Sequence, residues 1–204
     1  MSAEPRRKYT LKEYFELEMS SDARHEYWNG EIYSMSGVSE SHAQIEVNLI
    51  ASLRTRLPKQ SCRVFPANMR LHVPTLPPYR YADLSAVCGM PTFEKIGGVD
   101  VLSNPVLIIE VLSESTEAYD RGDKFTHYKS IGSLREYLLV AQHRPHITQY
   151  VRQDDNTWRY RDVNELSASL ALPSVKCSLD LTDVYQDVQF SAAPPLNVQS
   201  PETL

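Results

Sequence analysis

Apolar residues recur at Ile45, Leu49, Leu53 and Leu57, four residues apart, which lays one hydrophobic stripe along a helix that Pro58 ends. Ser41-His42-Ala43-Gln44 reads as the capping box that opens it. An earlier, shorter helix is predicted from Thr10 to about Met19, where Thr10 and Glu13 form another capping box. Between the two helices, the runs 24–28 and 31–35 flank Asn29-Gly30, the strongest two-residue turn signal for a β-hairpin. Beyond Pro58, residues 62–65, 69–73, 80–88 and 106–112 read as strands separated by turn-forming residues. A helix over about 116–130 follows, then strands over 134–141, 146–152 and 158–162. This order predicts an α/β fold, a mixed sheet flanked by helices, with an added N-terminal hairpin.

A chain of 204 residues with 42% hydrophobic content supports one core and not two. We expect one domain over 9–190, a flexible N-terminus over 1–8 and a polar, proline-bearing flexible tail over 191–204. The formal net charge of −5 argues against coating nucleic acid by bulk charge, so any such contact needs a local basic patch. Arg54, Arg56, Lys59, Arg63 and Arg70 form a basic stretch that could follow a phosphate backbone, scattered surface arginines being the plainer alternative. Cys62, Cys88 and Cys177 lack the spacing that zinc requires, and their odd number fits a reducing cytoplasm. The most apolar run, 105–112, is far shorter than the roughly 20 residues that span a bilayer, so no membrane association is expected.

That same run carries an anomaly. Glu110 sits within Val-Leu-Ile-Ile-Glu-Val-Leu, a near-continuous apolar segment of the kind found in central strands. An unpartnered carboxylate there would cost several kcal/mol, so it requires a cation, a protonated state or a bound metal. Asp83 lies in a second strand candidate, where aspartate is disfavoured, and we read it as strand interior and not strand end. Neighbouring strands are about 4.8 Å apart, close enough for both acids to grip one hard cation. Lys124 follows Glu110 on the next helix. Between carboxylates and a phosphate it would stay protonated, orienting water and stabilising negative charge; the plainer alternative is an exposed pair with Asp120 at i, i+4. His42 and Glu46, also at i, i+4, are secondary candidates, as is Asp120.

The run Pro105 to Thr116 (PVLIIEVLSEST), Asp120-Arg121, Lys124, Tyr128 and Glu136-Tyr137-Leu138-Leu139-Val140 resembles the Uma-type restriction endonuclease family of the PD-(D/E)XK nuclease superfamily. Arg24-x-Glu26, Gly30, Met35, His42 and Arg80-x-x-Asp83 extend the resemblance over about 9–187. It implies a restriction endonuclease-like core in which Asp83 and Glu110 hold Mg2+ or Mn2+, with the Val111 carbonyl as a third ligand and Lys124 as the catalytic lysine. The lysine usually two positions after the acid is Leu112 here, and Lys124 matches the family's relocated position. The chain departs from the pattern at Ala82 and Glu114, where prolines are usual. The expected activity is a metal-dependent endonuclease acting on DNA as a homodimer, with Arg54, Arg56, Arg70 and Arg121 as nucleic-acid contacts. A catalytically silent nucleic-acid or protein-binding module on the same scaffold is the alternative.

Overall fold

The structure, a computed structural model, describes residues 7–35, 37–58, 61–96 and 98–190. The tail expected over 191–204, Lys59, and residues 1–6 of the expected flexible N-terminus lie outside them. Arg7 pairs with Glu13, and Lys8 donates to the Asn29 carbonyl.

Helix α1 (Leu11–Ser20) opens on the predicted Thr10/Glu13 capping box, with both reciprocal bonds formed. The hairpin β1 (His25–Trp28) and β2 (Glu31–Ser34) turns at Asn29 and Gly30, both with positive φ, as a two-residue turn matched to strand twist demands. A side chain at position 30 would also strike Lys8, whose Cδ would lie 2.8 Å from its Cβ. Helix α2 (Glu40–Arg56) starts earlier than expected. Its cap is Ser39, whose hydroxyl accepts from the His42 amide, so Ser41 stands inside the first turn.

The strands that follow are β3 (Cys62–Pro66), β4 (Arg70–His72), β5 (Tyr79–Tyr81), β6 (Leu84–Cys88), β7 (Phe93–Ile96), β8 (Val99–Leu102) and β9 (Leu107–Leu112). The single strand expected over 80–88 is therefore two, and Asp83 lies in the bend between them, immediately before β6 and not in a strand interior. The physical reason is a change of sheet. β5 pairs with β4 in a four-stranded sheet ordered β5-β4-β8-β7, whereas β6 enters a six-stranded sheet.

After β9 the chain crosses over through α3 (Glu117–Tyr119), a π-helical turn (Asp120–Lys124) and α4 (Phe125–Lys129), then returns as β10 (Glu136–Ala141), parallel to β9. Strands β11 (Ile147–Arg152) and β12 (Trp158–Val163) complete the large sheet in the order β12-β11-β10-β9-β6-β3. A small hairpin, β13 (Ser169–Leu172) and β14 (Cys177–Asp180), and helix α5 (Leu181–Val184) close the domain.

Alternation along β9 and β10 divides the core. Leu107, Ile109, Val111, Leu138 and Val140 pack with Ile45, Leu49 and Leu53 of α2. Ile108, Leu112, Tyr137 and Leu139 pack on the other face with Phe125 and Tyr128 of α4. Tyr14, Tyr79, Tyr81 and Val101 join α1 to the four-stranded sheet. No helix among the described residues is long and apolar enough to cross a membrane. The odd cysteine count, read above as fitting a reducing cytoplasm, conceals a pair: Cys62 and Cys88 are register partners on β3 and β6 and form a disulfide, leaving Cys177 free.

Candidate active site

Glu110 occupies an even position of β9 and so faces α4 with Ile108 and Leu112. It is 2% exposed. Its Oε1 lies 3.0 Å from Lys124 Nζ and accepts from the Tyr128 hydroxyl at 2.9 Å. Burial pushes this carboxyl well above the ordinary carboxylate range, with Asp83 and Asp120 adding to the rise, and the Lys124 ammonium opposes it in part.

Lys124 stands at the end of the π-helical turn. An i→i+5 ring widens the helix locally, a feature that recurs at functional sites, and here both ends of the turn, Asp120 and Lys124, are buried. Lys124 Nζ also lies 3.3 Å from Asp120 Oδ1 and 3.9 Å from Glu26 Oε1. Burial works against the ammonium, but Glu110, Glu26, Asp120 and Asp83 outweigh it and hold its pKa well above the usual lysine value. Lys124 is thus protonated at neutral pH. The exposed Lys124–Asp120 pair weighed above is instead a buried cluster.

Asp83 stands level with Glu110, since the next residue, Leu84, pairs with Ile109. The two acids are laced together through the backbone: the Val111 amide donates to Asp83 Oδ2 at 2.6 Å, and the Asp83 amide donates to Glu110 Oε2 at 3.3 Å. The other oxygen, Oδ1, faces His42 Nε2 at 3.5 Å, and Nε2 lies 3.3 Å from Glu46 Oε1. Burial opposes charge on both partners. The His42 imidazole nonetheless rises to about 9 through Asp83 and Glu46, and Asp83 falls below the ordinary carboxylate range chiefly through His42. One donor atom from each of His42, Glu46 and Asp83 lies within 4.8 Å of the others, a spacing that could hold a metal ion.

The structure therefore brings together Asp83, Glu110, Val111, Lys124, Asp120, His42 and Glu46. Three of the four arginines expected at nucleic acid have carboxylate partners. Arg56 is held by Asp180 and Asp183 at 2.6 Å each, Arg70 by Glu18 at 3.0 Å, and Arg121 by Glu117 at 2.7 Å, while Arg54 is exposed on α2.

Two contributors, both among the residues that carry the family resemblance, were given no role in the site by the sequence. Glu26 comes from the hairpin, accepting from the Tyr81 amide at 3.2 Å while approaching Lys124. Trp28 beside it packs on Tyr119 with ring centroids 5.3 Å apart, docking the hairpin onto the helical crossover. Tyr128 fixes Glu110; its place eight residues after Asp120 and four after Lys124, one helix face throughout, is the cue that could have found it.

Comparison with known proteins places this geometry in context. The uncharacterized protein slr1290 of Synechocystis sp. is 32% identical over 183 residues, covering 90% of this chain and 94% of its own. The uncharacterized protein sll1609 of the same organism is 29% identical, covering 82% and 94%. A crystal structure from Anabaena variabilis, described as a putative nuclease belonging to DUF820, superposes with a TM-score of 0.64 at 18% identity over 86% of this chain and 97% of that one. That likeness shows a restriction endonuclease-like fold. The model of the Uma2 family, described as putative restriction endonuclease, matches residues 11–182, and the chain belongs to that family.

Proposed function

We propose that this protein is a metal-dependent endonuclease that hydrolyses DNA phosphodiester bonds, with Asp83, Glu110 and Lys124 as its catalytic residues. The observation that carries the reading is the convergence of a buried ammonium and two acids, one inside β9 and one in the bend before β6, with Lys124 3.0 Å from Glu110 and Glu110 bonded to the Asp83 backbone. Membership of a family described as putative restriction endonuclease, and the fold shared with a protein described as a putative nuclease, support a nuclease role.

The donor chemistry fits a divalent cation: carboxylate oxygens dominate, and Asp83 is held ionised. Asp83 and Glu110, with the Val111 carbonyl, would hold Mg2+ or Mn2+. Such an ion supplies Lewis-acid polarisation of a phosphoryl oxygen and a more acidic bound water. Val111 N–H fixes the Asp83 carboxylate, and Tyr128 fixes Glu110. Lys124, kept protonated by its carboxylates, orients the attacking water and stabilises the negative charge that grows on the phosphate. Cleaving both strands of a duplex takes two such sites, so the working form is a homodimer.

Plasmid nicking in Mg2+ and in Mn2+ tests this. The wild-type chain should convert supercoiled to open-circular DNA, and Asp83→Ala and Glu110→Gln should abolish conversion while remaining folded. No cleavage by the wild type with either ion, or undiminished cleavage by Asp83→Ala, would favour the silent binding module instead.

A further inference from the structure

We infer that His42 is an inner-sphere ligand of the metal site, through Nε2 alongside Glu46 and Asp83, so that the site selects a first-row transition dication over Mg2+ or Ca2+. This rests on the metal-dependent reading above and narrows it.

The argument starts from α2. Residues four apart on a helix stand one above the other, so His42 and Glu46 offer a nitrogen and an oxygen from adjacent turns, 3.3 Å apart. The Ser39 cap fixes the backbone of His42 at the start of the helix. The third donor comes from a different element. Asp83 has its Oδ2 tied to the Val111 amide, which turns Oδ1 toward His42 Nε2 at 3.5 Å. One nitrogen thus sits near two carboxylates held by independent scaffolds, one by a helix and one by the inner strands β6 and β9 of the large sheet.

Exposure distinguishes this group from the neighbouring Lys124 cluster. The side chains of His42, Glu46 and Asp83 are 9%, 22% and 16% exposed, whereas those of Lys124 and Glu110 are 6% and 2% exposed. The outer group is thus the more open to solvent, to an ion and to a phosphate oxygen, and it adds donors to an ion that Asp83 would hold. Its composition, two carboxylates and one imidazole, is not the all-oxygen set that Mg2+ and Ca2+ favour; imidazole nitrogen adds affinity along the series from Mn2+ through Co2+ toward the later metals.

The full-length chain with Mn2+ alone, followed by pulsed electron paramagnetic resonance, reads the coordination directly. Bound Mn2+ should show nitrogen-14 modulation from a coordinated imidazole, and His42→Gln, which retains a polar side chain, should lose it. Calorimetry on the same samples should rank Co2+ above Mn2+ above Mg2+ for the wild type. In His42→Gln the Co2+ affinity should fall about 10–100-fold with Mg2+ affinity changing far less. Circular dichroism confirms that the variant is folded, and His42→Asn repeats the measurement if it is not. Mn2+ that binds and supports nicking without nitrogen coupling overturns the role of His42 and leaves the nuclease reading standing, as does coupling that survives in the variant. Failure to bind any of these ions overturns both.

Discussion

Replacing Lys124 by Met removes one charge and little volume, which isolates what the ammonium does. Lys124 and Glu110 are 5% and 2% exposed, and Nζ lies 3.0 Å from Glu110 and 3.3 Å from the buried Asp120. Without it, two buried carboxylates face each other with Glu26 beside them. Breaking a buried ion pair by deleting one partner costs about 3–5 kcal/mol, because the other charge is left desolvated and unpaired. For a domain of this size that corresponds to a melting temperature lower by roughly 6–20 °C. The pH dependence has a definite sign. The folded-state pKa of Lys124 is raised above the usual 10.5, so its stabilisation is complete below that value and is lost as pH rises through the folded value. The gap between wild type and Lys124→Met should therefore be full at pH 7 and shrink in strong alkali. Urea unfolding followed by circular dichroism at several pH values measures it. A difference below about 1 kcal/mol at pH 7, the range of exposed pairs, would falsify the assignment of Lys124 as counter-charge to Glu110.

Tyr128→Phe removes the hydroxyl that donates to Glu110 at 2.9 Å and leaves a buried acceptor short of a partner. Urea unfolding should show a loss of about 1–3 kcal/mol, and an unchanged midpoint would mean the bond contributes nothing. The Cys62–Cys88 disulfide closes a loop with a sequence separation of 26, for which chain entropy gives about 3.5 kcal/mol. Reduction should lower the urea midpoint accordingly. Alkylation of the denatured, unreduced protein should label Cys177 alone, and labelling of all three cysteines would contradict the pairing.

Legibility in the sequence followed the range of the interactions involved. Asn29-Gly30 specifies its hairpin through backbone conformations that only a few residues tolerate, so two letters sufficed. Glu110 stood out because a charge inside an apolar strand is costly wherever that strand ends up. Asp83 was misplaced by the same local reasoning. Tyr-Arg-Tyr before it and Leu-Ser-Ala-Val-Cys after it are both strand-forming, and nothing in their composition records that they belong to different sheets. The position of Ser39 as cap depended on a two-residue shift that Ser41 imitates. The role of Glu26 and the pairing of the cysteines escaped for a common reason: their partners are set by docking and strand register, which arise only once the sheets assemble. Arg56 and Arg70 looked free along the chain, yet carboxylates distant in sequence claim both.

The bend at Asp83 has a mechanical consequence. The two residues between β5 and β6 carry the chain from one sheet to the other, so this carboxylate rides on a seam, while His42 and Glu46 ride on a helix backed by the larger layer. An ion clamped across that seam would act as a rivet, coupling the tilt of the smaller layer to occupancy. Substitutions along β4 or β8, neither of which carries a donor residue, would then register as altered affinity for the ion.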